Sequence, residues 1–199
     1  MTLPDGITEL APGKIASVVT YLEMTQRPEP RAVPDLPELS VQLHDAPSAE
    51  AYLNLYRLVG EEYLWFSRLM MEPSALEAHL ASDSVEVWTV QKDGTDLGLL
   101  ELEWMQDGAC ELSFLGLSPA LTGGGVGRWL MEHALERAFK RPISRFFVHT
   151  CTLDSAPALA FYIRSGFVPY RRAVEIADDP RLTGLIPESC APHVPLVRV

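Results

Sequence analysis

The stretch "SFLGLSPALTGGGVGRWLMEHALERAF", residues 113 to 139, constrains this chain more than any other: an apolar strand passes a proline, enters a cluster of four glycines and runs straight into an amphipathic helix. Glycine loses more conformational freedom on folding than other residues, so the cluster at Gly123, Gly124, Gly125 and Gly127 needs a reason. A strand, a glycine-rich turn and a helix start together aim several backbone N–H groups at one point. The positive end of the helix lies behind them, which makes a ready site for a pyrophosphate. No Lys-Ser or Lys-Thr follows the cluster, so it is not a nucleoside triphosphate loop. The glycines also lack the G-x-G-x-x-G spacing, which disfavours a dinucleotide fold.

Around this junction the chain reads as alternating elements. "ELSVQLH" alternates like a strand, and "SAEAYLNLYRLVG" has helix start and stop signals at Ser48 and Gly60. "PSALEAHLA" reads as a second, short helix. "VEVWTVQ", "LGLLELEWM" and "ACELSFLGL" form an antiparallel meander, because Asp93-Gly94 and Asp107-Gly108 are hairpin signals. The helix after the glycines buries Val126, Leu130, Ala134 and Ala138, with Met131 and Leu135 beside them, and Pro142 stops it. "ISRFFVHTCTL" is the next strand, "SAPALAFYIRSG" a helix and "FVPYRRAVEI" a last strand. The fold class is therefore α/β (α+β).

Residues 38–176 form the expected main domain. Residues 1–37 are expected to be an extension, its strand "KIASVVTYLEM" laid against a sheet edge and followed by a connector carrying Pro28, Pro30, Pro34 and Pro37. Residues 177–199 read as a proline-rich, loosely held tail. In a chain of 199 residues, a net charge of −11 argues against a general affinity for nucleic acid or anionic membrane; it either weakly favours a cationic substrate or partner or serves only solubility. Cys110, Cys151 and Cys190 have no metal-ligand spacing and fit a reducing compartment. With no secretory signal and no apolar run of about 18 residues, the expected location is cytoplasmic.

Along "CELSFLGL" the large apolar residues shift from even positions, Leu112 and Phe114, to odd ones, Leu115 and Leu117. A β-bulge with Gly116 tolerating the distorted backbone gives such a slip; so does a strand apolar on both faces.

From Val41 to Ile176 the chain resembles the GNAT superfamily of acetyl-coenzyme A-dependent N-acetyltransferases. The resemblance rests on a strand followed by Thr122-Gly123-Gly124-Gly125-Val126-Gly127 at a helix start, and on "SAPALAFYIRSGFVPY". Thr122 stands where the family usually has Arg or Gln. The resemblance implies a mixed, strongly twisted, mostly antiparallel sheet with helices on both faces and a splayed strand pair at the cofactor. It implies acetyl-CoA as acyl donor with no metal, the pantetheine arm paired to Leu115, Gly116 and Leu117. Its pyrophosphate is then held at Gly123, Gly124, Gly125, Val126, Gly127 and Arg128, with Ser155 nearby. Tyr162 stands at the position of the family's frequent catalytic tyrosine, as acid for the departing thiolate, and a backbone N–H at or near Leu115 serves the oxyanion. Glu111, with Glu101 and Glu103 as alternatives, or His149, is the expected base.

The implied reaction moves an acetyl group to a primary amine of a small molecule or peptide by direct attack in a ternary complex. A non-catalytic acyl-CoA-binding regulatory module is the alternative, and a hydrolase using Cys151 a further one. Asp154 or Ser155 is expected to cap the helix that follows. The resemblance implies an acceptor site shaped by the early helices, here about residues 48 to 82, and by the hairpin and terminal segments; Trp65, Phe66, Trp88 and Trp104 fit either a cleft wall or core. A homodimer is compatible with all of this.

Overall fold

Two Asp-Gly turns fold the middle of the sheet. In the computed structural model, which describes residues 3–198, Asp93 and Gly94 both have positive φ, 50° and 75°. They form the two-residue loop that sets β3 (Val85–Lys92) against β4 (Thr95–Trp104) with Lys92 opposite Thr95. Gly108, at φ 79°, turns β4 into β5 (Ala109–Leu117), and Asp107 accepts the Ala109 N–H within that loop. The remaining strands are β1 (Lys14–Met24), β2 (Leu39–His44), β6 (Arg145–Cys151) and β7 (Val168–Asp178). They make one sheet of seven strands in the order β2-β3-β4-β5-β6-β1-β7. Every neighbour is antiparallel except β5 and β6.

Helices cover both faces. On one, α1 (Ala49–Gly60, capped by Ser48) and α2 (Pro73–Leu80) pack Tyr52, Tyr56, Leu76 and Leu80 against Val85, Val87 and Leu99. On the other, α3 (Val126–Ala138) and α4 (Ala158–Arg164) enclose the larger core. There Leu130, Met131, Ala134 and Leu135 meet Leu100, Leu102, Leu112 and Phe146, the apolar stripe read from the sequence. No helix is long and apolar enough among the described residues to cross a membrane.

Two expectations about the ends are corrected. β1 is not an edge strand: it pairs with β6 on one side and β7 on the other. Its apolar residues point to both faces, Leu22 and Met24 into the larger core and Ile15 into a separate small one, which suits an interior strand better than an edge. Nor is the tail loose. Ile186, Cys190 and Ala191 pack against Ile15 and Leu64. Arg181, buried, pairs with Asp179 at 2.7 Å and donates from Nη1 to the carbonyls of Cys190, Ala191 and Val194. One guanidinium thus satisfies carbonyls that a proline-rich segment cannot pair with itself.

Candidate functional site

The register of β4 and β5 slips by one residue where the cleft begins. Glu101 faces Phe114 while Leu102 faces Leu112, so Ser113 is the extra residue of a bulge. Leu112 therefore joins the α3 core and Phe114 the α1 side, where its ring meets Tyr56 edge-on at 5.0 Å. The slip lies earlier than the apolar pattern suggested. Gly116 has a different task from the one expected of it: a Cβ there would lie 2.7 Å from Val59 Cγ2 and 3.1 Å from the Trp65 ring, so glycine lets α1 and the following loop close on the strand. The parallel pairing of β5 with β6 ends at Glu111 and Phe147. Beyond it the two strands diverge, and the gap opens into a cleft of about 1080 Å³.

One end of this cleft is the glycine loop. Gly123, Gly124 and Gly125 have φ of 93°, 57° and 85°, three successive left-handed residues that side chains would strain. Val126 already donates to Gly123 O and buries its side chain, which sets it apart from its neighbours. Among the described residues, the amides of Gly124, Gly125, Gly127 and Arg128 have no backbone acceptor. They stand at the start of α3, where the dipole favours an anion. Thr122 turns its hydroxyl back onto Pro119 O at 2.8 Å, closing the short 3-10 turn before the loop. Arg128 lines the cleft here, with Arg31 and Arg164. Leu115, Gly116 and Leu117 line its strand wall, and Ser155 its opposite side.

The other candidate residues lie along β6 and α4. His149 Nδ1 is 3.2 Å from Glu111 Oε1, so two of the expected base candidates form one pair. The hydrogen bond to the Glu111 carboxylate raises the imidazole pKa, against the lowering effect of burial. His149 lines the cleft and Glu111 stands behind it. Tyr162 is buried in the cleft wall; burial, with Asp154 nearby, pushes its phenol up and holds it protonated. Glu101 is removed from contention as a base. It is fully buried on the α1 and α2 side, where it accepts from Arg68, His79 and Tyr52.

Asp154 does not cap α4, whose N-cap is Pro157 with no side-chain cap. It instead accepts from Thr150 Oγ1 at 2.6 Å, Cys151 N at 2.9 Å and Trp65 Nε1 at 3.0 Å. The Ser155 side chain does not cap α4 either. The Cys151 thiol lines the cleft with its pKa raised by burial, and its sulfur accepts from Leu153 N. Among the described residues no group of His, Cys, Asp and Glu could hold a metal ion. Trp65 and Phe66 line the cleft, whereas Trp88 and Trp104 pack on the larger core. Arg31 was not legible from the sequence: its carboxylate partner, Glu132, lies 101 residues away, and no local motif announces it.

Comparisons with known proteins agree with this architecture. The model of the acetyltransferase (GNAT) family matches residues 49–167. A GCN5-related N-acetyltransferase from Sphaerobacter thermophilus superposes with a TM-score of 0.57 at 13% identity, over 81% of this chain and 51% of that one. A tandem GNAT protein from the clavulanic acid biosynthesis pathway gives 0.58 at 16%, over 82% and 53%. An aminoglycoside acetyltransferase from an uncultured soil metagenomic sample, in complex with trehalose, gives 0.55 at 15%, over 65% and 88%. The chain thus spans about half the length of the first two. No curated protein matches it. At these identities the structures speak for the fold, and the family model adds the lineage. With its meander, splayed strands and glycine loop in that order, the chain belongs to the acetyltransferase (GNAT) family.

Proposed function

We propose that this protein transfers an acetyl group from acetyl-CoA to a primary amine by direct attack in a ternary complex. The observation that carries the reading is the divergence of β5 from β6 beside a glycine loop with unpaired amides. A cleft of about 1080 Å³ has room for a long ligand, and the residues around it suit coenzyme A. Gly124, Gly125, Gly127 and Arg128 would hold its pyrophosphate. The β5 backbone from Leu115 to Leu117 would pair with its pantetheine arm as an added strand would.

Acetyl-CoA supplies the acyl thioester. In this reading the His149–Glu111 pair takes the proton from the incoming ammonium, and the carboxylate stabilises the imidazolium that results. An amide N–H beyond the Ser113 bulge, at or near Leu115, donates to the carbonyl oxygen. Tyr162 keeps its proton until the thiolate leaves. The net change is one N–C bond formed and one C–S bond broken; of the two protons the ammonium gives up, one is passed by the protein to sulfur and the other goes to solvent. An amine-bearing small molecule or a peptide fits the open cleft, and a cytoplasmic location fits the free thiols.

Free-thiol release from acetyl-CoA over a panel of amines tests the reading. Amine-dependent release supports it. Saturable coenzyme binding without release for any amine points to an acyl-CoA-binding module, and no thermal shift with the coenzyme removes both.

A further inference from the structure

The connector between β1 and β2 is not a slack linker. Pro34 Cγ lies 3.0 Å from where a Cβ on Gly125 would stand, and Pro28 lies 3.4 Å from the corresponding point on Gly166. The connector therefore crosses from the end of α4 to the start of α3, over the end of the cleft that holds the unpaired amides. Prolines at 28, 30, 34 and 37 keep such a segment extended and limit what it loses on being fixed.

Arg31 sits at the middle of this crossing and lines the cleft. Its Nε donates to Glu132 Oε1 at 2.6 Å, and its Nη1 to Arg164 O at 3.1 Å. Its Nη2 is buried and has no acceptor among the described residues. A buried donor without a partner is unfavourable, and a small turn of the guanidinium toward the cleft would let its planar fork offer that N–H to a phosphate. Arg128 and Arg164 line the same region, a concentration of positive charge in a chain of net charge −11.

We propose that Arg31 is a phosphate-reading residue of the coenzyme site, carried there by the proline-rich connector acting as a clamp. This rests on the coenzyme A reading above and adds to it a contact from outside the span matched by the family model. The phosphate is either in the diphosphate bridge or on the ribose, and the experiment separates the two.

Calorimetric titration of the full chain with coenzyme A and with 3′-dephospho-coenzyme A, for the parent, Arg31→Gln and Glu132→Gln, tests it. Loss of one charge-assisted hydrogen bond should weaken coenzyme A binding to Arg31→Gln roughly tenfold to a hundredfold. If the weakening is equal for both ligands, Arg31 reads the diphosphate; if it is confined to coenzyme A, the ribose phosphate. Either supports the proposal. Glu132→Gln removes the competing carboxylate and should leave affinity equal or tighter. Were Arg31 only a strut for the connector, both variants would shift affinity in the same direction or leave it unchanged while lowering the melting temperature, and the proposal fails. If the parent binds neither ligand, the coenzyme A reading falls first.

Discussion

Trp65 and Asp154 join the two walls of the cleft: the indole N–H of the loop after α1 donates at 3.0 Å to a carboxylate at the end of β6. The ring itself lies against Gly60 and Gly116, both of which lack the Cβ that would block it. Trp65→Phe keeps most of the packing and breaks the tie. Its expected cost in stability is about 1 kcal/mol, the net worth of one hydrogen bond. If the loop shapes the acceptor side, KM for the amine should rise more than the dissociation constant for coenzyme A. Denaturant unfolding and steady-state kinetics on the same preparation check both.

Gly116→Ala separates close approach from backbone freedom. The residue has an ordinary φ, so the added methyl meets Val59 and Trp65 without any conformational strain. A loss of about 1–3 kcal/mol is expected from overpacking. Gly94→Ala should cost about 1–2 kcal/mol for a wholly different reason, since nothing lies near its Cβ and only its left-handed φ of 75° is violated. A second substitution, Val59→Ala, should recover part of the loss at Gly116 and none at Gly94, as read by urea midpoints.

Glu101 holds a buried network together. Burial alone would raise its carboxyl pKa, but hydrogen bonds from His79 and Tyr52 and the charge and hydrogen bond of Arg68 outweigh burial and hold it low. Glu101→Gln should cost on the order of 3–5 kcal/mol, because it leaves the Arg68 charge buried beside a neutral amide. The sign with pH follows from a depressed folded pKa. The stabilisation is complete above the unfolded carboxyl pKa of about 4.3 and fades as pH falls through the folded value. Unfolding curves measured down that range should converge for parent and variant in acid.

The His149–Glu111 pair predicts a shift in the pH profile. Glu111 raises the imidazole pKa, so under the proposed mechanism His149 becomes available as base only as pH climbs through that raised value. In Glu111→Gln the acidic limb of kcat/KM should move to lower pH, back toward about 6.5. His149→Ala should lose the limb and about 10²-fold to 10⁴-fold in rate. Tyr162→Phe should lower kcat while leaving coenzyme affinity near that of the parent. A Tyr162→Phe variant as fast as the parent across pH would end the assignment of the acid.

Arg181→Ala should unfasten the tail. It strands Asp179 and frees the carbonyls of Cys190, Ala191 and Val194 at once, and a loss of roughly 3–5 kcal/mol is expected for breaking a buried pair. Hydrogen exchange at Ile186 and Cys190 should quicken before that of the β4 amides.

What the sequence revealed was local. Asp93-Gly94 announces its turn because the loop conformation is decided by those residues themselves, and the stripe on α3 announces its buried face for the same reason. The glycine loop is legible because three positive φ values in a row admit almost nothing but glycine. Whatever depended on distant partners was hidden. β1 looked like an edge strand because its neighbours, β6 and β7, lie more than a hundred residues on. Asp154 looked like a cap because the indole it bonds is 89 residues earlier, and the bulge was misplaced because Leu112 and Phe114 share parity in sequence but not in space.

The seat of β1 between β6 and β7 also governs how such a chain must assemble. Made before both of its neighbours, β1 has no hydrogen-bonding partner until β6, residues 145 to 151, is synthesised, and gains its second only when β7 is complete at residue 178. The β2 to β5 meander can zip as it emerges, while the far half of the sheet waits on a long-range capture. Nascent chains stalled before residue 145 should therefore carry a sticky, unmated ribbon at their leading end, and it is there that a chaperone would find its handle.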